Sequence, residues 1–446
     1  MLMSDTNQFP EVSLLRFIRH SLEILKNPLP FHRANFLKYG NFFRLNIGFG
    51  KSVIFIRDAD FLSYVLQKNQ RNFSKSSIQT KDLAKYIGRG LLTSEGEEWQ
   101  KQRRLIQPAF HKSQLSLLLQ MVNAVIEREL NKIKINQEFD VFPVFNDLAF
   151  QTVVKSLFSS EISDFELRQL QNTTEITQQM LVKELRQPYL GWWFKLTGKI
   201  QYHINLIDQS RDILQKLVTQ RKQSEIKHND LLDILLDAKY EDGSSMKDTQ
   251  LLDEILILFA AGHETTSNAL TFTCELIARN PVVQLKILDE IKEVKKESCD
   301  LMLWIKNAKY IKAVIEESMR LYPPAYFIDR VNNEKDCFKD FDLPKKSNLL
   351  FSVYEIHRHP DFWEDPELFK PERFLDENVK FSKNYFPFGA GQRMCIGNNF
   401  AMYEMILTII NMVERYEIVE KKTPIKIKPL ITLKPLDAVL EFKTRQ

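Results

Sequence analysis

The chain has 446 residues, 44% hydrophobic and 27% charged, and its 62 basic and 58 acidic side chains leave a net charge of +4. These values exclude a disordered chain, a collagen-like chain and a disulfide scaffold, and the small charge does not indicate nucleic-acid binding. The four cysteines are widely spaced and form no CxxC pair, which argues against a zinc site and fits a reducing compartment.

The ends and linkers of the chain bear on its location and domain count. The N-terminus lacks the basic, apolar and small-residue layout of a signal peptide. No run of about 18 apolar residues indicates a transmembrane helix. No linker rich in Pro, Gly or Ser divides the sequence, so we expect one domain over residues 1–446 rather than three. We expect a cytoplasmic protein.

The first half of the chain is predicted to be helical after a short β region. Residues 41–56 alternate in hydrophobicity around Gly48 and Gly50, which predicts two strands. Residues 97–236 carry Leu and Ile at helical spacing. An aromatic-rich stretch, residues 187–198, interrupts that pattern and is predicted to be a loop.

The second half centres on one long predicted helix. It begins with Asp248 as its N-cap and ends at Asn280, before a proline. Its length of about 48 Å, at 1.5 Å per residue, is enough to cross the whole molecule. Further helices, a strand-like and proline-rich stretch at 322–374, a helix at 400–416 and short C-terminal strands follow. The sequence therefore predicts a mainly α fold with a minor β part.

Glycine is scarce in this chain, with 13 in total, yet three glycines surround Cys395. A cysteine that leads into a helix N-terminus lies in the positive end of the helix dipole, which favours the thiolate. Gly389 and Gly391 permit a tight turn, and Gly397 permits a flat partner to approach the backbone. With Arg393 as its basic neighbour, such a thiolate could act as a nucleophile or bind a metal.

The cysteine segment resembles the haem-binding loop of the cytochrome P450 family. The matching positions are Phe388, Gly391, Arg393, Cys395 and Gly397. The resemblance implies that Cys395 is the metal ligand, bound to the iron of haem b. It also implies that Arg393 pairs with a haem propionate, and that Phe388 and Gly397 belong to the cofactor site. The implied fold is the cytochrome P450 fold, with the haem between the long central helix and the cysteine-loop helix.

The middle of the long helix resembles the oxygen-activation motif of the same family. The segment reads Ala-Gly-His-Glu-Thr-Thr over residues 261–266. We expect Gly262 to leave room for a flat cofactor or O₂, and Thr265 to bond its own helix carbonyl or a distal ligand. We expect Glu264 to connect this groove to solvent. The resemblance implies that Glu264 and Thr265 are catalytic and deliver protons during oxygen activation.

Two further segments resemble structural motifs of the family. Glu317 and Arg320 lie on one helix face, and Arg373 follows in a Pro-Glu-Arg-Phe segment. The resemblance implies a buried network of these three residues, and losing one member of a buried ion pair costs about 3–5 kcal/mol.

The remaining charged motif lies near Trp99. Trp99 and Arg103 resemble a helix of the family that approaches the haem propionates, and Arg330 stands where the family often has another propionate partner. Basic residues near this helix could form a docking face for an acidic electron donor: Lys101, Arg103, Arg104 and Lys112.

The implied enzyme is a haem-thiolate monooxygenase that inserts one oxygen atom of O₂ into a C–H bond of a small organic substrate, such as a fatty acid or terpenoid. Electrons would come from a ferredoxin or flavodoxin and its NAD(P)H reductase. One alternative is oxidative O-demethylation of a methylated sugar or phenolic, which releases formaldehyde. Another is a non-catalytic haem sensor or carrier, which we expect to lack the Glu264–Thr265 pair. By family analogy the substrate pocket includes Tyr86, Ile87, Trp192, Trp193, Phe259, Ala261, Tyr326 and Phe327.

Overall fold

The computed structural model describes residues 9–48, 50–159, 163–224, 226–228, 230–380, 383–420 and 425–445. Helices dominate and strands form a smaller part, which confirms the predicted fold class. The helices, numbered in chain order, are α1 Leu14–Arg19, α2 Ser21–Lys26, α3 Leu29–Tyr39, α4 Ala59–Ser63, α5 Ala84–Ile87, α6 Gly96–Ile106, α7 Lys112–Leu130, α8 Phe142–Phe158, α9 Asp164–Arg186, α10 Gly191–Leu196, α11 Lys199–Gln223, α12 Leu231–Asp237, α13 Asp248–Arg279, α14 Pro281–Glu297, α15 Leu301–Asn307, α16 Lys309–Leu321, α17 Val353–Ile356, α18 Glu377–Lys380 and α19 Asn398–Arg415.

The strands group into one larger and three smaller sheets. The larger sheet has the order β1-β2-β3-β9-β6-β4, in which β1–β2 and β3–β9 are parallel pairs and the other pairs are antiparallel. The strands are β1 Glu11–Val12, β2 Phe42–Gly48, β3 Lys51–Ile56, β4 Phe73–Ser74, β5 Glu138–Asp140, β6 Phe327–Asn332, β7 Asp336–Phe338, β8 Phe341–Leu343, β9 Asn348–Ser352, β10 Tyr416–Glu420, β11 Lys426–Pro429, β12 Leu433–Leu436 and β13 Val439–Thr444. The predicted strand pair at 41–56 is therefore present as β2 and β3.

The long helix α13 runs through the main hydrophobic core. It has 32 residues and packs along α8, with α16 and α19 on other sides. Most of its side chains are buried over its whole length, which explains why it is apolar on more than one face. The prediction that Asp248 is the N-cap is wrong, because the extended residue before the helix is Lys247 and Asp248 begins the first turn.

The structure adds short elements that the sequence pattern did not predict. The predicted loop at 187–198 contains a 3₁₀ turn at Pro188–Leu190 followed by α10. The N-terminal helices α1 to α3 pack near β2 and also lie outside the predicted elements. A π-helical turn spans Tyr64–Lys68 and contacts the segment Gly391–Arg393. Among the described residues no helix combines the length and apolarity that a bilayer crossing requires.

Candidate cofactor and oxygen-activation site

The cysteine loop is a tight turn held by two glycines with positive φ, Gly389 at 71° and Gly391 at 70°. The Cys395 N–H donates to the Phe388 carbonyl over 3.0 Å, which closes the loop. A Cβ atom on Gly391 would lie 2.0 Å from the Leu66 carbonyl oxygen, so backbone contact also requires glycine there. The loop is therefore anchored on the π-helical turn, and its shape requires both glycines.

The Cys395 side chain keeps some accessible surface at the start of α19, although neighbouring protein atoms surround most of it. Enclosure by the surrounding protein raises the pKa of its thiol, while the Gly397 N–H and the Arg103 charge lower that pKa. The helix N-terminus thus lowers the pKa of the Cys395 thiol, as predicted, but the loss of hydration raises this pKa by more. A bound metal ion is the further charge that would ionise the thiol. The nearby cation that acts on the thiol is Arg103 rather than Arg393, which corrects the sequence-based expectation.

Arg393 is engaged by Glu95 instead. Its two terminal nitrogens donate to both Glu95 oxygens, the Nη1 bond being 2.7 Å long, and its guanidinium lies 4.7 Å from the centre of the Trp99 ring. Arg103 donates from Nη1 to the Met394 carbonyl over 3.1 Å. The structure therefore brings Trp99, Arg103 and Arg393 together beside the cysteine loop, and adds Glu95, which no motif indicated.

Two further cations lie buried in the same region. Among the described residues, the one side-chain hydrogen bond of Arg330 goes to the Asp329 carbonyl over 2.7 Å. Lys75 donates to two backbone carbonyls, and burial together with the charges of Arg393 and Arg330 lowers the pKa of Lys75 to about 7. Buried cations without a carboxylate hydrogen-bond acceptor fit an anionic group such as a haem propionate. Sequence reasoning missed Lys75 because no motif surrounds it.

The middle of α13 presents one accessible residue, Ala261, on an otherwise buried helix. The Thr265 hydroxyl donates to the Ala261 carbonyl over 2.7 Å, one of its two expected partners. A Cβ atom on Gly262 would lie 2.9 Å from Val153 Cγ2 on α8. The prediction that Gly262 faces the cofactor is therefore wrong, because the missing side chain accommodates α8. The accessible surface at Ala261 and at Cys395 is what a flat group between α13 and α19 requires.

Glu264 is buried and bonded on two sides. It accepts a hydrogen bond from the Gln178 amide of α9 and one of 2.6 Å from the Thr432 hydroxyl, which precedes β12. Thr432 in turn accepts from the Asn268 amide over 3.0 Å. The expectation that Glu264 opens to solvent is wrong for this structure, because α9 and the β11–β12 turn cover it. Sequence reasoning missed both partners because they are remote in the chain.

A small cavity lies between α5, α9, α11 and α13. Its lining is mostly apolar, with Thr174, Thr177 and Gln178 as polar exceptions. The predicted pocket residues Tyr86 and Ile87 belong to it, and Ala260 places its wall beside the oxygen motif. The remaining lining residues are Leu83, Leu181, Ile207 and Leu256.

Three predicted pocket residues lie away from this cavity. Trp192 and Trp193 on α10 are 64% and 43% exposed, so they form part of the outer surface. Phe259 is buried, with its ring 5.6 Å from Phe150 and 5.7 Å from Phe158 of α8. None of the three lines the described cavity, because α10 turns its tryptophans outward and the face of α13 that carries Phe259 packs on α8.

The remaining aromatic predictions lie near the sheet. The Tyr326 hydroxyl donates to the Leu430 carbonyl over 2.6 Å. The Tyr326 side chain therefore contacts the β11–β12 turn. Phe327 on β6 packs against His32, with ring centres 5.3 Å apart. Neither lines the described cavity, because both side chains are used in packing between the N-terminal region and the sheet.

The predicted charged network is assembled in the structure. Arg320 and Glu317 are fully buried and share two hydrogen bonds of 2.7 and 2.8 Å. Arg373 Nε lies 3.4 Å from Glu317, and the Lys370 N–H donates to the same carboxylate. Arg320 also donates to three backbone carbonyls and lies over the Trp363 ring. The pair therefore fixes the segment that precedes the cysteine loop.

Comparison with known proteins agrees with this geometry. The model of the family described as Cytochrome P450 matches residues 10–442. The chain belongs to the cytochrome P450 family. Cytochromes P450 are monooxygenases whose members bind haem b.

Three relatives show how far this similarity extends. The chain is 28% identical to the cyclooctat-9-en-7-ol 5-monooxygenase of Streptomyces melanosporofaciens over 90% of this chain and 87% of that protein. It is 26% identical to the pentalenene oxygenase of Streptomyces avermitilis over 90% and 89%. It is 29% identical to human cytochrome P450 4Z1 over 81% and 76%. As in other cytochromes P450, the reaction uses O₂, a substrate and a redox partner.

Proposed function

We propose that this cytochrome P450 inserts one oxygen atom of O₂ into a C–H bond of an apolar small molecule. The observation that carries this proposal is the mostly apolar cavity, whose lining includes Ala260, next to the oxygen motif, and Gln178, which bonds to Glu264. The cavity wall is therefore linked to a carboxyl group of the oxygen motif. We also propose that residues 1–446 act as one cytoplasmic catalytic domain, supported by the family match over residues 10–442.

The proposed cofactor site is built from the residues beside the cysteine loop. Cys395 would supply the thiolate ligand to the haem iron. Arg103, Arg330 and Arg393 would neutralise the propionates, and Lys75 would add a further buried cation there. The other members of the proposed site are Trp99, Phe388 and Gly397. When bound, the haem supplies the activation of O₂, which amino-acid side chains cannot perform.

Glu264 and Thr265 are the proposed proton-handling pair. The Glu264 carboxyl can hold a proton, and Thr432 and Gln178 orient it. The Thr265 hydroxyl bonds to the Ala261 carbonyl and lies at the accessible part of α13. From there it can pass a proton to a group bound against that accessible surface. Since Glu264 bonds to the cavity residue Gln178 and Thr265 bonds to Ala261, the neighbour of the cavity residue Ala260, we infer that proton delivery and substrate binding occur on the same segment of α13.

The chemistry of the cavity supports an apolar substrate with one hydrogen-bonding group. Seven of its ten lining residues are Leu, Ile, Ala or Tyr, and the polar side chains lie on α9. Two relatives are named as oxygenases of pentalenene and of cyclooctat-9-en-7-ol, whose names denote alkenes. We propose a terpenoid or fatty acid as the substrate, hydroxylated at an unactivated carbon.

The test is a binding screen followed by isotope analysis. Terpenoids, fatty acids, aromatics and methylated sugars are titrated into the haem-loaded protein, and the spectral shift on water displacement identifies ligands. The best ligand is then turned over with isotope-labelled O₂ and surrogate redox partners. We expect one labelled oxygen atom in the product. Formaldehyde release from a methylated substrate would instead support O-demethylation, and binding without oxygen-dependent product would support a sensor or carrier.

We propose a small acidic donor, a ferredoxin or flavodoxin with its NAD(P)H reductase, as the electron source. Lys101 and Lys112 are exposed on either side of Arg103, which reaches the cysteine loop, whereas Arg104 is paired with Glu241. The double variant Lys101→Glu/Lys112→Glu should lower the electron-transfer rate at low salt about tenfold or more. The control Lys199→Glu/Lys216→Glu changes charge on α11 and should leave the rate unchanged. Equal rates in both variants would contradict this docking face.

A further inference from the structure

Glu404 is a buried acid that the proposed mechanism does not use. It lies on α19, the helix that follows Cys395, and only 1% of the residue is exposed. Among the described residues, neither of its carboxyl oxygens has a hydrogen-bond partner. An ionised carboxylate in such surroundings would be strongly destabilising, because within the described part of the chain no well-formed hydrogen bond and no cation compensates for lost hydration.

The group that approaches this carboxyl is the Thr152 hydroxyl of α8. Thr152 is fully buried, and its Oγ1 also lacks a well-formed hydrogen bond within the described part of the chain. Ser156 lies one turn further along the same face of α8 and has an unpartnered hydroxyl too. At the contact of Glu404 with Thr152, an acid and a hydroxyl without well-formed hydrogen bonds thus lie together, and a carboxyl proton would provide the missing donor.

The same helix contacts the oxygen motif. Val153, the neighbour of Thr152, occupies the space left by Gly262, and the Phe150 ring packs edge-on against His263 at 5.1 Å. One side of α8 thus contacts α13 at the oxygen motif, while Thr152 contacts α19. Helix α8 therefore packs on α13 at the oxygen motif and reaches α19 through Thr152.

We propose that Glu404 holds a proton in the folded protein and, as a neutral carboxylic acid, hydrogen-bonds with Thr152, which fixes the cysteine-loop helix α19 against α8. Glu404 is then a positioning residue: it acts on the spacing of Cys395 and the oxygen motif without touching either. The protonation does not depend on the proposed function, whereas its consequence for the iron ligand does.

The electrostatic surroundings agree with a neutral acid. Burial raises the pKa of Glu404 well above its ordinary value, and only the Thr152 hydroxyl opposes this. No charged group of the described residues shifts that pKa. The folded protein binds the Glu404 proton more tightly than the unfolded chain does. The free energy of unfolding therefore decreases as pH rises from the pKa of Glu404 in the unfolded chain towards its pKa in the folded protein. Glutamine cannot ionise, so Glu404→Gln removes this pH-dependent decrease.

Infrared spectroscopy of the haem-loaded protein tests the protonation directly. At neutral pH we expect a carbonyl stretch of a protonated carboxylic acid that disappears in Glu404→Gln and shifts in Thr152→Val. Glu414→Gln is the matched control, since Glu414 lies on the same helix but pairs with Lys295 at the surface. A spectrum in which Glu404→Gln removes only a carboxylate band, as the control does, would overturn the proposal.

Thermal unfolding between pH 5 and 8 gives a second readout that does not use activity. We expect the Tm of Glu404→Gln to rise relative to the wild type as pH increases, while Glu414→Gln shows no such trend. Glu404→Ala should be destabilised at every pH, so rescue by glutamine separates a neutral polar role from simple loss of packing. A Tm difference between Glu404→Gln and the wild type that is independent of pH would contradict a proton held in this range.

The positioning role is tested on the reduced, carbon-monoxide-bound protein. We expect Glu404→Ala to lose the thiolate-type spectrum at least tenfold faster under mild denaturant than Glu404→Gln. Equal rates would refute the positioning role while leaving the infrared result intact. If the wild type itself never shows a thiolate-type spectrum, the proposed function fails and the protonation is judged from the infrared experiment.

Discussion

The Thr432 hydroxyl donates a 2.6 Å hydrogen bond to the Glu264 carboxylate, although the two residues are separated by 168 positions in the chain. Through this bond the turn between β11 and β12 orients a carboxyl group in the middle of α13. Gln178 bonds to the same carboxylate from α9. The proposed proton-handling acid is thus held by two elements outside its own helix.

We therefore expect Thr432→Val to reduce product formation. A hydrogen bond to a charged group contributes about 1.5–3 kcal/mol, which corresponds to a loss of roughly tenfold or more. Product formed per NADPH consumed should fall, while substrate affinity measured by the spectral shift stays within twofold. The control Thr273→Val removes a buried hydroxyl of α13 that bonds only its own helix. An equal yield of product per NADPH consumed in both variants would contradict the orienting role of Thr432.

The contact between Gly262 and Val153 gives a prediction about stability. Gly262→Ala would place a methyl group 2.9 Å from Val153 Cγ2, an overpacked contact that should cost about 1–3 kcal/mol. Val153→Ala makes room, so the double variant should be more stable than the sum of the single changes predicts. Denaturant unfolding of the four proteins measures this. Additive effects would mean that the two side chains do not meet.

The buried ion pair gives a prediction with a surface control. Glu317→Gln should destabilise the protein by about 3–5 kcal/mol, because Arg320 would be left buried without its counter-ion. Glu334→Gln removes a pair with Lys345 that is exposed on both sides, and should cost less than about 1 kcal/mol. Chemical denaturation of both variants compares them. Similar costs would show that the buried pair contributes no more than a surface pair.

His357 gives the predicted acid sensitivity. Its Nε2 accepts a hydrogen bond of 2.8 Å from the Phe386 N–H, just before the cysteine loop, so the ring must be neutral. Burial and the charges of Arg320 and Arg358 lower the pKa of His357 to about 3. The contribution of neutral His357 to the free energy of unfolding should therefore be fully present above pH 6.5, the ordinary pKa of histidine. It should decrease as pH falls towards 3, by up to about 1.4 kcal/mol per pH unit.

Unfolding curves between pH 4 and 8 check this. His357→Gln keeps a carbonyl acceptor for Phe386 but cannot be protonated, so its stability should depend less on pH over this range. His203 is exposed on α11 and bonds only to its own helix, which makes His203→Gln the control. A pH dependence in His357→Gln as steep as in the wild type would show that other groups control the acid response.

The sequence predicted what is local in the chain. The 3.6-residue spacing identified α13 to within one residue at each end, and the glycines around Cys395 predicted a tight turn, which the structure shows. These features depend on residues close together in the chain, where spacing determines geometry.

What the sequence could not predict depends on long-range packing. Helical periodicity does not say which face of α13 meets α8, so Phe259 and Gly262 were both given the wrong neighbours. The tryptophans of α10 were predicted to line a pocket by family analogy, yet they lie on the surface. Thr432 and Lys75 had no local signal, because their partners come from remote segments.

The central claim is that Cys395 is the thiolate ligand of a haem in this protein. The most direct measurement is the absorption spectrum of the reduced, carbon-monoxide-bound protein and of its Cys395→Ala variant, with Cys274→Ala as the control for a buried cysteine elsewhere. The account predicts a thiolate-type spectrum for the wild type and for Cys274→Ala, and its loss in Cys395→Ala. A thiolate-type spectrum that persists in Cys395→Ala, or a wild type that binds no haem, would contradict it.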